Sequence, residues 1–110
     1  MPARQNRRRE RFHHHREPVG CGGLRPMEPG VAEVKRMYVA PDWRGRGVSG
    51  AVLSALEQAA VARGWCTLRL ETGPLQAAAM RFYERSGYVP IPPYGLYADE
   101  PTSHCYQREL

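Results

Sequence analysis

The pattern of hydrophobic and polar positions divides the chain into short β-like runs and two longer stretches with helical spacing. Apolar residues recur every three or four positions through residues 47–63 and again through residues 75–83, which predicts two α-helices. Gly64 and Gly87 follow these stretches and predict the C-terminal ends of the helices, because glycine adopts a positive φ without strain. Thr72 is a candidate N-cap of the second helix.

Runs of residues with high β-propensity predict the strands around these helices. In chain order, the predicted strands are Glu17–Arg25, Val31–Val39, Trp65–Glu71 and Ser103–Leu110. Pro26–Gly30 has the composition of a turn between the first two strands. Residues 88–94 contain three prolines and therefore predict an edge strand or a loop.

The second predicted strand alternates in polarity, so its side chains are expected to divide between two faces. One face would carry Glu33, Lys35, Met37 and Val39, and the other Val34, Arg36 and Tyr38. A predicted helix and another strand follow it, and this succession predicts a parallel crossover. The expected fold class is therefore α/β, with a mixed sheet in a single domain.

The charge of the 110-residue chain is concentrated at its N-terminus. Residues 1–16 contain six arginines and one glutamate, which equals the net charge of +5, whereas residues 17–110 contain ten basic and ten acidic side chains. The composition predicts a disordered basic tail over 1–16 and a neutral folded domain over 17–110. A nucleic-acid-binding arm is an alternative for the tail alone, so nucleic acid is not the expected partner.

Metal sites, disulfides and membrane segments are not predicted. Cys21, Cys66 and Cys105 form no CxxC pair, and the adjacent histidines 13–15 cannot all face one site from a regular element. No apolar run approaches the ~20 residues that span a bilayer, and the N-terminus lacks the apolar segment of a secretory signal. A cytoplasmic protein with reduced thiols is the expectation.

A turn rich in glycine and arginine joins the second strand to the first helix. It comprises Arg44, Gly45, Arg46, Gly47, Val48, Ser49 and Gly50. The first N–H groups of a helix lack intrahelical partners and carry partial positive charge, and glycines let a ligand approach the backbone. Arg44 and Arg46 add mobile positive charge. The turn therefore predicts a nucleotide-type cofactor bound by its phosphates.

The same turn also matches the dinucleotide fingerprint G-x-G-x-x-G through Gly45, Gly47 and Gly50. Glu71 lies near the end of the next strand, where an acid would bind a ribose. Two features disagree with this interpretation. Five residues separate Val39 from Gly45, although the fingerprint starts directly after a strand. The preceding strand is also too polar for the middle of a parallel sheet.

Two blocks of the sequence favour another family. Residues 37–49 read Met-x-Val-x-Pro and then Arg-x-x-Gly-x-Ser, and residues 79–88 read A-x-x-F-Y-E-x-x-G-Y. Together they resemble the GCN5-related N-acetyltransferase (GNAT) superfamily over roughly residues 17–110. The resemblance implies the GNAT acyl-CoA N-acyltransferase fold and an enzyme that transfers the acetyl group of acetyl-CoA to a primary amine of a small molecule or peptide.

The resemblance also implies where acetyl-CoA would bind. The backbone from Arg44 to Gly50 would hold the pyrophosphate, with Ser49 where the family has glycine or alanine. The pantetheine arm would pair with Met37, Tyr38 and Val39, beside a slot left where this strand splays from the next. Thr72 and Gln76 lie near the place where the family often has an asparagine that contacts the arm.

Tyr83 and Glu33 are the catalytic candidates that the resemblance implies. Tyr83 would protonate the departing CoA sulfur, and its alternative is a core aromatic. Glu33 would act as the general base, and its alternative is a surface salt bridge with Lys35 or Arg36. A backbone N–H near Tyr38 would stabilise the developing oxyanion.

The family fold normally begins with a strand and two helices, and this chain has only the basic tail in that place. A shortened family member or a misplaced start is therefore expected, with an exposed sheet edge that favours a homodimer. The alternative function is a catalytically weak or inactive acyl-CoA-binding remnant. The acceptor itself is not predicted. Its candidate contacts are Tyr94, Tyr97, Asp99, Glu100 and His104.

Overall fold

Six strands and two α-helices form the part of the chain that the computed structural model describes, which is residues 8–14, 17–73, 77–95 and 103–110. In chain order they are β1 (Arg8–His14), β2 (Glu17–Glu28), β3 (Val31–Val39), α1 (Val48–Ala62), β4 (Thr67–Thr72), α2 (Ala77–Arg85), β5 (Val89–Ile91) and β6 (His104–Glu109). A short 3-10 helix, Pro41–Trp43, lies between β3 and α1.

The strands form one mixed sheet in the order β1-β2-β3-β4-β6-β5. β3 and β4 are parallel and are joined through α1, whereas every other neighbouring pair is antiparallel. The predicted α/β class and the parallel crossover are therefore confirmed. The short β5 lies at one edge of the sheet, which agrees with the prolines of residues 88–94.

The predicted disorder of residues 1–16 is wrong for β1. This strand pairs with β2 from Arg8 opposite Leu24 to His14 opposite Glu17. A strand ladder is held by backbone groups, so a segment poor in apolar side chains can join a sheet, and charged residues are common on edge strands. β2 is consequently an inner strand, and the edge expected there is covered by β1.

Two predicted boundaries are also wrong. β2 continues through Pro26 to Glu28, and only Pro29–Gly30 form the turn. A register shift between Pro26 and Glu28 accommodates a proline that cannot donate to the ladder. Thr72 ends β4 and is not the N-cap of α2. The predicted helix ends hold, because Gly64 and Gly87 have φ values of 83° and 93°.

β3 contains a bulge at Arg36, whose φ is 56°. The bulge adds one residue to β3 relative to β2 and reverses the alternation beyond it. A Cβ atom at Gly22 would lie 2.8 Å from Leu56 of α1 and 3.0 Å from the sulfur of Met37, so Met37 lies on the helix side. Lys35 precedes the bulge and lies on the other face. The predicted shared face of Met37 and Lys35 is therefore wrong, because strict alternation requires a regular strand.

Both helices pack on one face of the sheet, which we call the helix face. Glu57 of α1 accepts hydrogen bonds from Tyr88 Oη at 2.9 Å and from Arg108 Nη1 at 2.8 Å. Tyr106 lies two residues from Arg108 on β6, and its Oη donates to Glu84 of α2 at 2.9 Å. The core consists of the buried side chains between the sheet and the helices: Leu24, Ala32, Val34, Val52, Leu53, Leu56, Ala60, Leu68, Leu70, Tyr83, Tyr88 and Tyr106.

The opposite face of the sheet, which we call the open face, is polar. Its side chains in the middle strands are Arg25, Glu33, Lys35, Arg69, Glu71 and Gln107. Four of them follow one another across the sheet, because Arg25 pairs with Glu33, Glu33 with Arg69, and Arg69 with Gln107. Alternation along each strand separates them from the core residues on the helix face.

The described part of the chain contains neither a candidate membrane-spanning helix nor a candidate metal-binding group. α1 and α2 have 15 and 9 residues, and no described helix is long and apolar enough to cross a membrane. No described group of three or more His, Cys, Asp or Glu side chains is arranged to hold a metal ion.

Candidate active site

A slot passes through the sheet between β3 and β4. The two strands pair only from Val31–Glu33 to Thr67–Arg69 and then separate, leaving a cleft of about 260 Å³. Its lining is formed by Val34, Lys35, Arg36, Met37, Leu70, Glu71, Thr72, Gly73 and Tyr83. Val34 and Leu70 belong to the helix face, whereas Lys35 and Glu71 belong to the open face. Ligands can therefore approach the slot from both faces.

The predicted phosphate-binding turn follows β3 after the short 3-10 helix Pro41–Trp43. Arg44–Gly47 form the turn, and Val48–Gly50 form the first helical turn of α1. Gly45 and Gly47 have φ values of 77° and 80°, and a Cβ atom at either would meet nothing within 4 Å. Glycine is thus required for conformation, and the space over the backbone is open.

The N-terminus of α1 has the properties of an anion-binding site. Ala51 N–H donates to Gly47 C=O at 3.1 Å, so the helical ladder begins only there. Gly47 supplies no side-chain cap, and the first turn contains no acidic residue. The N–H groups of Val48, Ser49 and Gly50 therefore remain for an anion, and the helix dipole adds to the attraction.

The two arginines of the turn are held by neighbouring groups. Arg44 Nε donates to the carbonyl oxygen of Val39 at 3.3 Å. The guanidinium of Arg46 lies 4.8 Å from the ring centroid of Trp43, within the range of a cation–π contact. Both side chains are exposed. The predicted positive charge is present, but it is anchored rather than mobile.

The three residues predicted to contact the pantetheine arm divide into two groups. Met37 lines the slot. Tyr38 and Val39 lie beyond it, towards the phosphate-binding turn, and pair with Cys21 and Gly20 of β2. Tyr38 is 51 % exposed, which is unusual for a large side chain on an inner strand and leaves it accessible beside the slot.

Thr72 offers a polar group that the protein itself does not satisfy. Its side chain is 5 % exposed, and Oγ1 has no hydrogen-bond partner among the described residues. A buried hydroxyl without a partner costs about 1–3 kcal/mol. Because Thr72 lines the slot, a ligand with amide groups, such as the pantetheine arm of acetyl-CoA, fits there. Gln76 lies outside the described residues.

Tyr83 is compatible with both roles considered from the sequence, a core aromatic and a proton donor at the slot. It is buried in a cluster with Phe82, Tyr88 and Tyr106, at ring-centroid distances of 5.2, 5.8 and 6.3 Å. It also lines the slot. Burial raises the pKa of its phenol above the usual value. The phenol is therefore protonated at neutral pH and can donate a proton.

Glu33 lies on the open face beside a second cleft of about 190 Å³, which we call the side cleft. Its carboxylate is nearly buried, with 4 % of the residue exposed. It accepts a hydrogen bond from Tyr94 Oη at 2.8 Å and pairs with Lys35 Nζ at 3.3 Å. The pair with Lys35 exists as predicted, but its carboxylate is nearly buried rather than on the surface.

The side cleft and the slot meet at Lys35, which lines both. The remaining lining of the side cleft is Arg25, Pro26, Met27, Glu33, Tyr94 and Gly95. Of the candidate acceptor contacts, Tyr94 belongs to this cleft, whereas His104 is exposed at the start of β6 and lines neither cleft. Tyr97, Asp99 and Glu100 lie outside the described residues.

Sequence reasoning missed Arg25 as a residue of the site. Arg25 and Glu33 are partners across the β2–β3 hairpin. A two-residue turn at Pro29–Gly30 by itself would place Arg25 opposite Val34, and the register shift between Pro26 and Glu28 moves its partner to Glu33. Because the composition predicted a five-residue turn, this pairing of Arg25 with Glu33 was not expected.

Comparison with known proteins identifies relatives of the same type. The family model for the Acetyltransferase (GNAT) family matches residues 6–88. The IAA acetyltransferase of Azospirillum brasilense is 38 % identical over 93 residues, which cover 84 % of this chain and 61 % of that protein. A crystal structure of a candidate acyl-CoA N-acyltransferase from Klebsiella pneumoniae is 40 % identical, with a TM-score of 0.81 over 86 % of this chain and 65 % of that one.

A more distant structure shares the fold. PaiA N-acetyltransferase from Thermoplasma acidophilum, in complex with coenzyme A, is 14 % identical and has a TM-score of 0.83. The match covers 94 % of this chain and 61 % of that one. The chain spans less than two thirds of the length of each of these three proteins.

Proposed function

The chain belongs to the GNAT acetyltransferase family, and we propose that it transfers the acetyl group of acetyl-CoA to a primary amine of a small molecule or peptide. The observation that carries this proposal is the slot through the sheet. The slot is lined by Met37 of β3, the strand that leads towards the glycine-rich turn, and it shares Lys35 with the side cleft. An acyl donor on the helix face and an amine on the open face can therefore reach each other in the slot.

The proposed acetyl-CoA site follows β3 into α1. The first N–H groups of α1, with Gly45 and Gly47, bind the pyrophosphate. Met37 to Val39 pair with the pantetheine arm, and Thr72 Oγ1 gains the hydrogen-bond partner that it lacks. The coenzyme A complex of the Thermoplasma relative supports this choice of ligand.

In the proposed reaction, acetyl-CoA supplies the thioester, and residues of this chain move the protons. Glu33 accepts the proton that the amine nitrogen loses as the new N–C bond forms. A backbone N–H at the end of β3 stabilises the negative charge that develops on the carbonyl oxygen. Tyr83, whose phenol is protonated at neutral pH, donates its proton to the CoA sulfur as the C–S bond breaks.

Replacement of Tyr83 tests the proposed acid. We expect Tyr83→Phe to lower kcat for CoA release by at least about tenfold, whereas the Kd for acetyl-CoA stays nearly unchanged because the ring is retained. Calorimetry with acetyl-CoA and CoA release with a panel of amines measure the two quantities.

Tyr106→Phe is the matched control, because Tyr106 belongs to the same aromatic cluster but does not line the slot. It should alter stability without altering kcat. Turnover that persists in Tyr83→Phe would show that the acid assignment is wrong. Acetyl-CoA binding without turnover on any amine would favour a catalytically inactive acyl-CoA-binding protein instead, and absence of binding would overturn both.

A further inference from the structure

We propose, on the basis of the acetyltransferase function above, that the acceptor is a small amino acid-like amine whose carboxylate binds Arg25 in the side cleft. The step itself is the one already described: the amine nitrogen gains the acetyl group, and the carboxylate takes no part in bond making. What the proposal adds is the chemistry by which the protein selects and orients this acceptor.

The charges of the side cleft come from one row of the open face. Arg25 faces Glu33 across β2 and β3, and Glu33 faces Arg69 across β3 and β4. Lys35 lies two residues beyond Glu33 on the same face. The row thus surrounds one nearly buried carboxylate with three cationic side chains.

Two of these three cations are matched by acidic groups. Lys35 pairs with Glu33 at 3.3 Å, and Arg69 pairs with Glu28 at 3.4 Å. Arg25 is exposed, and no ion pair joins it to another described residue. Among the described residues, the lining of the cleft therefore carries one positive charge in excess. A carboxylate is its natural complement, because guanidinium binds carboxylate through two parallel hydrogen bonds.

The distance between Arg25 and the slot favours a small acceptor. Arg25 is on β2, and the slot lies on the other side of the adjacent strand β3. Neighbouring strands are about 4.8 Å apart. A molecule that binds Arg25 through its carboxylate can therefore present an amine at the slot when only a few bonds separate the two groups.

The rest of the cleft lining accommodates an apolar body. Pro26, Met27 and the ring of Tyr94 provide apolar surface between the charged groups. The hydroxyl of Tyr94 is committed to Glu33 at 2.8 Å, which fixes the orientation of its ring. A second ammonium group on the acceptor would meet Arg25 and Lys35 and be repelled, which excludes diamines from the favoured class.

Matched pairs of acceptors test the proposal. CoA release is measured with L-phenylalanine against L-phenylalaninamide and with L-methionine against L-methioninamide. The amides have the same side chain and a primary amine but no carboxylate, and rates are compared per concentration of free-base amine because the carboxamide lowers the pKa of the amine. We expect kcat/KM to be at least about tenfold higher for the acids, which corresponds to a difference near 1.4 kcal/mol.

Arg25→Gln removes the positive charge that is proposed to bind the carboxylate of the acceptor. We expect it to raise the KM of the acids by about tenfold, to leave the amides unchanged and to leave the Kd of acetyl-CoA unchanged. Arg63→Gln is the matched control, because Arg63 is exposed at the C-terminal end of α1, away from both clefts. Arg25→Glu should reverse the preference in favour of the amides.

The outcomes separate this proposal from the one on which it rests. Equal kcat/KM values for acids and amides, or an equal loss on both in Arg25→Gln, would overturn the carboxylate site while the acetyltransferase function stands. If acetyl-CoA binds and no amine is acetylated, ligand-observed NMR with CoA present compares acid with amide directly. Equal binding of the two then overturns the site without reference to turnover.

Discussion

Two buried threonines on β4, one away from the slot and one beside it, differ in whether their hydroxyl groups have a hydrogen-bond partner. Thr67 Oγ1 donates to Glu109 at 2.9 Å. Thr72 Oγ1, five residues along the strand, is buried and has no partner among the described residues. Only Thr72 lines the slot. The buried hydroxyl of Thr72, which destabilises the ligand-free protein, thus lies at the proposed cofactor site.

Thr72→Val should therefore change stability and binding in opposite directions. Valine has nearly the same shape and removes the unsatisfied hydroxyl, so we expect the free energy of unfolding of the ligand-free protein to rise by about 1 kcal/mol. The Kd for acetyl-CoA should rise severalfold, because the ligand loses a hydrogen bond. Urea unfolding and calorimetry measure the two effects.

Thr67→Val is the control, because it removes the hydrogen bond to Glu109 Oε2 and does not touch the slot. It should lower the free energy of unfolding and leave the Kd unchanged. A loss of stability in Thr72→Val, or an unchanged Kd, would show that the Thr72 hydroxyl is satisfied by something other than the ligand.

The packing of α1 on β2 brings the phosphate-binding turn to the end of β3. A Cβ atom at Gly20 would lie 2.7 Å from Val48 Cγ1 and 3.1 Å from the carbonyl oxygen of Tyr38. Val48 begins α1, and Tyr38 lies near the end of β3. Gly20 therefore determines how closely the anion-binding end of the helix approaches the strand that leads to the slot.

Gly20→Ala should weaken acetyl-CoA binding by displacing the first turn of α1. Overpacking of this kind costs about 1–3 kcal/mol, and we expect a roughly tenfold rise in the Kd together with a lower melting temperature. Isothermal titration with acetyl-CoA and thermal unfolding measure both quantities.

Val48→Ala provides the second arm of a double-mutant cycle, because it removes the atom that the new Cβ would meet. The double variant should recover most of the affinity that Gly20→Ala loses. If Gly20→Ala lowers only the melting temperature, or if Val48→Ala restores nothing, Gly20 does not position the turn.

Across the whole molecule, tyrosines connect the two helices to the sheet. Tyr83, Tyr88 and Tyr106 are all buried, and burial is the largest cause that raises the pKa of each phenol above its usual value. Tyr88 and Tyr106 also donate hydrogen bonds to Glu57 and Glu84, which further favour the protonated phenols.

These pKa shifts predict a loss of stability at alkaline pH. The phenols are protonated in both the folded and unfolded chains below about pH 10, so they cause no pH dependence there. Above that pH the unfolded chain releases protons that the folded chain retains, and the free energy of unfolding falls by up to about 1.4 kcal/mol per pH unit for each tyrosine.

Urea unfolding from pH 7 to pH 11, on the wild type and on Tyr88→Phe, measures this effect. Tyr88→Phe should show a shallower decline above pH 10 and no difference in slope below pH 9. The comparison between the two proteins cancels contributions from Lys35 and the three cysteines. Equal slopes above pH 10 would contradict the assignment to the buried phenols.

Local patterns predicted α1 and its flanking turn almost completely. The helix was predicted over 47–63 and is observed as Val48–Ala62. Gly45 and Gly47 of the turn adopt the positive φ that their type allows. β1 was missed because backbone pairing with β2 holds it, and its own composition contains no such signal. The bulge at Arg36 was missed because a non-glycine residue with positive φ has no regular sequence signature.

The sequence by itself determined the glycine-rich turn before α1, the two helices and the succession that makes β3 and β4 parallel, because each depends on the conformation of contiguous residues. Only the tertiary structure decided the slot and the side cleft. Arg25, Glu33 and Arg69 come from three different strands, and the register that aligns them is set by a tight turn, the register shift beside it and a parallel crossover. Such register is a property of strand pairing between distant segments, and a single bulge changes the face of every residue beyond it.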